Sequence, residues 1–291
     1  MGELYAVICA IIWGLAVVFL KRAGESVPPF ALNLFRVGFS LPLLFLTCVI
    51  AGVDPFRHAP AQDFAYLIAS GVIGIALSDT LFHKSLNLIG AGVTAIVDTF
   101  YAPVTVLLAF LLLGERVGVR DIAGMLLIMA AILLSATLTP PRGQTRAQLI
   151  EGIAIGIAGL VLLAIGIVIV KPVLNRSPVF WVALVRQAAG VVFLLGAALA
   201  SRDRARILSV FRPSRVWRHT VPGTVLGSYL SLVFWIAGMK YTMASVAAIL
   251  NQSSTIFILL FAILLLGERA TRRKIAAAIL AFAGLLLVSL P

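Results

Sequence analysis

The sequence predicts an all-α integral membrane protein, with ten transmembrane helices arranged as two inverted five-helix repeats. Three observations carry this expectation. Apolar residues make up 62% of the chain and charged residues 12%, with a mean hydropathy of +1.11, outside the range of water-soluble globular domains. Ten stretches are apolar over the roughly 20 residues that a helix needs to cross a hydrocarbon core about 30 Å thick. Finally, LLAFLLLGER from Leu107 to Arg116 returns 153 positions later as LFAILLLGER from Leu260 to Arg269, identical at eight of ten positions.

The first repeat, residues 1–138, holds apolar segments at about 3–20, 29–51, 63–83, 91–113 and 119–138. The second, residues 151–291, holds them at about 151–170, 178–199, 221–239, 244–266 and 273–290. The runs are continuously apolar and do not alternate, which argues against a β-barrel and for helices that satisfy their own backbone in lipid. The 153-residue offset also places Gly74 on Gly227, Ser78 on Ser231 and Asp98 on Asn251. Nearer each start the offset is 150, placing Lys21 on Lys171 and Arg36 on Arg186, so the later half gains three residues between its second and third segments. Five segments per copy means that the second copy enters the bilayer from the opposite face. A pseudo-two-fold axis in the membrane plane follows, with a cavity where the halves meet.

Charge placement gives an orientation. Loops on the N-terminal side carry six basic residues (Arg57, Arg116, Arg120, Lys171, Arg176 and Lys240), and the other side carries fifteen, including Lys21, Lys84, Arg142 and Arg269. The positive-inside rule then puts both termini outside the cytoplasm. The net charge of +12 is accounted for by this bias and is no argument for a nucleic-acid partner. The basic linker 201–220, interleaved with Ile207, Leu208, Phe211 and Trp217, reads either as an interfacial segment on anionic lipid or as a solvated loop. The first segment lacks a basic start and a small-residue cleavage site and reads as a retained helix, and Gly2 lacks the remainder of a myristoylation signal. Cys9 and Cys48 read as small packing residues, with no neighbouring ligands for a metal or partner for a disulfide.

Polar groups inside a bilayer are costly, so the few present are candidates for function. The third segment carries Asp79, Thr80 and His83, with Lys84 at the boundary, where the second copy is apolar. Asp79 and His83 lie one turn apart and can hold or pass a proton together with Asp98; the alternative is that His83 and Lys84 neutralise Asp79 near the interface. In the fourth segment Thr94, Asp98, Tyr101 and Thr105 recur at helical spacing as one polar stripe that faces either a cavity or a packed helix. The ninth carries Asn251, Gln252, Ser253, Ser254 and Thr255 in succession, too many for one face, so the run bonds to neighbouring helices or unwinds. In the eighth, Ser228, Ser231 and Trp235 share a face that is a cavity wall or a packed core. Arg36 and Arg186 sit at matching depths from opposite faces and need acceptors; a structural role is favoured because both copies keep them. Glu115 and Glu268, each beside an arginine at a segment end, read as interfacial salt bridges.

Enzyme signatures are missing. The chain has no HExxH pair, no phosphate-binding loop, no GxSxG and only three histidines, so no catalytic residue, metal site or cofactor is expected. With five-plus-five segments, Trp13-Gly14 in the first, an arginine inside the second of each half and Gly-Glu-Arg ending the fourth of each half, the chain resembles the EamA-type transporters of the drug/metabolite transporter superfamily. Leu163-Ala164 stands where a second Trp-Gly would complete the symmetry. The resemblance implies ATP-independent movement of a small metabolite, often an amino acid and frequently outward. The expectation is a secondary transporter, multi-pass in the cell (inner) membrane, monomeric or homodimeric. Asp98 would recognise an amine or carry a proton, while Thr94, Tyr101, Ser228, Ser231, Asn251, Gln252 and Ser254 orient a small-molecule substrate between Trp13 and Trp235. The alternatives are a channel for small cations such as magnesium, with Asp79 and Asp98 as its acidic ring, and a lipid flippase.

Overall fold

A computed structural model describes residues 1–135, 145–266 and 271–289. Among them every regular element is helical. The first repeat contains α1 (Gly2–Gly24), α2 (Pro29–Ile50), α3 (Ala61–Gly90), α4 (Ile96–Leu113) and α5 (Val119–Ser135). The second contains α6 (Arg146–Arg176), α7 (Val179–Ala200), α8 (Trp217–Tyr241), α9 (Ala244–Leu265) and α10 (Arg272–Ser289). By length and composition, eight described helices can cross a membrane. The other two are α5, at 17 residues, and α10, which begins on Arg272, Arg273 and Lys274. Arg142 and the Gly267-Glu268-Arg269 motif lie outside the described residues.

Helix boundaries follow local chemistry. Prolines at residues 28 and 29 open α2 and Pro60 precedes α3, positions where the missing N–H costs nothing. Thr145 and Gln148 form a reciprocal capping box that starts α6, and extended Ser177 ahead of Pro178 ends it. Two helices outrun their expected segments by the most: α3 continues from 83 to 90, and α6 spans 146–176 where 151–170 was expected. Hydropathy stops at the first polar residues, whereas hydrogen bonding continues until the backbone is broken. The break after α3 is Gly90, at φ +74°, a conformation that glycine adopts without penalty. Gly114, at φ +67°, ends α4 in the same way, with its N–H on Phe110 O, the five-to-one bond of an αL closure, and that of Glu115 on Ala109 O.

The packing has the two-fold pattern of an inverted repeat. The first helix of each half lies against the third and fourth of the other, α1 on α8 and α9, and α6 on α3 and α4. Equivalent helices meet in the pairs α2 with α7, α4 with α9 and α5 with α10. The linker between α7 and α8, with its short helix Arg204–Leu208, turns its apolar side chains onto the bundle. Phe211 meets Phe35 at a tilt and Trp217 meets it edge-on, Ile207 and Leu208 pack beside Leu34 and Leu194, and the arginines remain exposed.

The α5–α10 contact is backbone-close, since a Cβ on Gly284 would stand 2.7 Å from Gly124 O and 2.9 Å from Ile128 Cγ1. Small residues permit this approach, and helix association in lipid depends on it. Gly284→Leu is expected to cost about 1–3 kcal/mol by overpacking, read as a lower melting temperature of the detergent-solubilised protein; an unchanged melting temperature would contradict the contact.

Candidate functional site

Where the halves meet, a cavity of about 190 Å³ is walled by both repeats. Cys9 and Trp13 reach it from α1, Arg36 from α2, Asp98 and Tyr101 from α4, and Leu160 and Leu163 from α6. The second repeat adds Arg186 and Gln187 from α7 and the run Asn251, Gln252, Ser254 and Thr255 from α9. The third helices line it through matching irregularities. A π-helical turn spans Val72–Leu77 in α3 and another Val225–Ser231 in α8, 153 residues apart. Such wide turns rotate the residues that follow and free backbone groups, and they recur at functional sites. Gly74, Ser78, Asp79 and Phe82 face the cavity around the first, and Gly227, Ser228, Ser231 and Trp235 around the second.

The fourth helices are also interrupted in register, at Thr99–Phe100 and at Gln252–Ser253. In α4, Pro103 lacks the N–H that would bond Thr99 O, and the N–H groups of Thr99 and Phe100 tighten to three-residue spacing on Ile96 and Val97. In α9, which lacks that proline, the polar run does the equivalent: Ser253 Oγ donates to Leu250 O, and Thr255 and Ile256 N–H bond three residues back. The interruptions join the halves, because Gln252 Nε2 donates to Asp98 O at 2.5 Å. Asp98 and Asn251, at repeat-equivalent positions, therefore face one space.

Two arginines dominate the wall, in contrasting states. The Arg36 guanidinium is 3% exposed and fully engaged: Nε donates to Ser228 Oγ at 2.9 Å, Nη1 lies 2.7 Å from His83 Nε2, and Nη2 stands 3.7 Å from Asp79 Oδ2. Its Cζ sits 5.5 Å from the Trp13 ring centre. Arg186 is 1% exposed, donates from Nε to Ser70 Oγ at 2.8 Å, and lies 5.4 Å over the Trp235 ring. Its Nη1 and Nη2 have no hydrogen-bond partner among the described residues.

Of the residues singled out from sequence, Trp13, Asp79, Asp98, Tyr101, Ser228, Ser231, Trp235, Asn251, Gln252 and Ser254 line the cavity together with Arg36 and Arg186. Thr94 does not: the chain reversal at Gly90 sets its phase, and its hydroxyl returns to Gly90 O at 2.8 Å. His83 stands behind Arg36, outside the lining. Lys84 does not neutralise Asp79, since it reaches outward to Glu151 at 3.5 Å and Arg36 takes that role. Cys9 is more than packing, with its Sγ 3.3 Å from Ser231 Oγ and 3.2 Å from Asn251 Oδ1. Gln187, donating to Ser40 Oγ at 2.6 Å, was legible only as a lone amide in an apolar helix.

Polar ties join the helix ends on the N-terminal side of the cavity. Glu115 caps α9, accepting from Ala244 N and Ser245 N at 2.9 Å each and from Ser245 Oγ at 2.7 Å. This replaces the expected interfacial salt bridge, because the Gly114 closure turns the carboxylate onto bare N–H groups at a positive helix end. Lys171 Nζ donates to the carbonyls of Met239 and Thr242 at the end of α8, Thr242 Oγ1 donates to Glu3 at 2.7 Å, and Arg176 pairs with Asp63. Lys21, the repeat equivalent of Lys171, is exposed.

The contrast between the arginines sets an expected outcome. Arg36→Leu strands His83, Asp79 and Ser228 and should cost about 3–5 kcal/mol, the range for removing one partner of a buried ion pair. Arg186→Leu removes a group whose terminal nitrogens have no partner and should leave the melting temperature close to that of the parent protein; equal losses in the two variants would contradict this division.

No curated protein matches the chain. One solved crystal structure superposes with a TM-score of 0.81 at 18% identity, covering 99% of this chain and 96% of the other, which shows a shared fold. The EamA-like transporter family matches residues 1–137 and 150–290, one copy on each repeat. This chain is therefore a member of the EamA-like transporter family, and a membrane transporter.

Proposed function

We propose that the protein is a secondary carrier that exports a small polar metabolite, most simply an amino acid, by alternating access, with α5 and α10 completing ten crossings. The observation that carries this reading is a single cavity shared by repeat-equivalent groups, Asp98 with Asn251 and Arg36 with Arg186. Halves of opposite orientation around one site can open it to either face by similar motions. A difference between the halves supports the same reading: Lys171 bonds the end of α8 while its counterpart Lys21 is exposed, an asymmetry that alternation between two forms would produce.

Asp98 would receive the amine of the solute or a coupled proton, with Asn251, Gln252, Ser254 and Tyr101 orienting it and Trp13 and Trp235 flanking it. Asp79 and His83 would act on coupling only through Arg36, which both contact. A cation channel fits the wall less well, because two guanidinium groups line the same space as Asp79 and Asp98. A monomer or homodimer in a cell (inner) membrane with both termini outside the cytoplasm completes the proposal.

Asp98→Asn is expected to abolish uptake driven by a pH gradient in proteoliposomes while preserving the gel-filtration profile; unchanged uptake would remove Asp98 from coupling. The ties on the N-terminal side offer a second measurement, since Cys9 lines the cavity and Cys48 is the only other cysteine of the sequence. In a Cys48→Ser background, Glu115→Ala should raise several-fold the rate at which a membrane-impermeant maleimide, added from the N-terminal side, labels Cys9; an unaltered rate would show that the Glu115 cap takes no part in closure.

A further inference from the structure

We propose that Arg186 is the anchor for a carboxylate carried by the transported solute, so that the substrate itself supplies the counter-charge missing from the cavity. The inference rests on the carrier reading and makes its solute class specific.

The charges of the site leave one opening. Arg36 is balanced by Asp79 and spends its donors on Ser228 and His83. Arg186 is held by Nε alone, through Ser70, whose hydroxyl donates in turn to Gly166 O and is fixed by both bonds. The remaining edge of the guanidinium, Nη1 and Nη2, is buried and has no hydrogen-bond partner among the described residues. Among the described residues no carboxylate stands within ion-pair distance of it. A buried guanidinium that is unpaired is unfavourable, and its flat two-nitrogen edge matches the two oxygens of a carboxylate.

The surroundings select the anion. Gly74, which lines the cavity, borders that edge, with a Cβ there placed 3.6 Å from Nη2. The Trp235 ring covers one face of the head group, its centre 5.4 Å from Cζ. Asp79 and Asp98 on the same wall oppose a second negative charge, which disfavours phosphate and dicarboxylates and favours a monocarboxylate. With Asp98 free to take an ammonium and Leu160, Leu163 and Phe82 offering apolar surface, the fit is a small zwitterion with an uncharged side chain.

The test uses the full chain in proteoliposomes and, as probes, the L-amino acids with uncharged side chains, each against its own C-terminal amide, together with monoamines and polyols. At least one free acid should show saturable, counterflow-competent uptake, with its amide transported at least tenfold less well. Arg186→Gln should raise the half-saturation concentration of the acid at least tenfold and narrow the difference between acid and amide, and Arg186→Lys should keep part of the preference. If Arg186→Gln fails to fold, the wild-type acid and amide pair with Arg186→Lys still decides the matter. Equal transport of acid and amide, or Arg186→Gln kinetics like the parent's, would overturn the anchor and leave the carrier standing. If no compound in the panel, charged or neutral, shows saturable uptake, the carrier reading falls and the anchor with it.

Discussion

A guanidinium buried among membrane helices is costly in proportion to the acceptors that it lacks. Arg36 finds its acceptors in both halves of the molecule: Ser228 on α8 belongs to the second repeat, and Asp79 and His83 on α3 to the first. The registration of three helices thus hangs on one side chain. The π turn in α8 brings Ser228 to face it, and the one in α3 rotates Asp79 and His83 into reach. The cavity is what remains once this network has fixed the second, third and eighth helices.

The symmetry is strongest where the backbone is concerned and weakest where charge is concerned. Both third helices carry the wide turn, both fourth helices break at the same register, and each first helix lies across the opposite half. Carboxylates in the cavity wall come from the first repeat only, with Leu232 and Asn251 standing opposite Asp79 and Asp98. Two related scaffolds therefore present unlike chemistry to one solute, as binding a molecule with distinct ends requires.

Much of this was legible in the sequence because lipid makes the rules strict. A lone aspartate in an apolar segment has to face something polar, and both Asp98 and its counterpart Asn251 face the cavity. The repeat and its odd segment count were visible in residue spacing alone. What remained hidden depended on distant partners or on helix phase. The Glu115 cap on α9 bridges 129 positions, and nothing beside Glu115 announces it. Thr94 followed the stripe on paper, yet Gly90 reset the phase of its helix. Cys9 resembled packing because the amide and hydroxyl that it meets lie in the second repeat. The wide turns have no signature beyond Gly74 and Gly227, and hydropathy is blind to them.

Those wide turns fix chain length to the single residue. In a regular helix each position advances the azimuth by about 100°, so deleting one residue anywhere in Val72–Leu77 would leave α3 long enough to traverse lipid while swinging Asp79 and Phe82 a quarter-turn or more off the cavity. Two homologous proteins could therefore agree in topology, hydropathy and overall superposition and still present different side chains to their cargo, the difference residing in one gap rather than in any substitution.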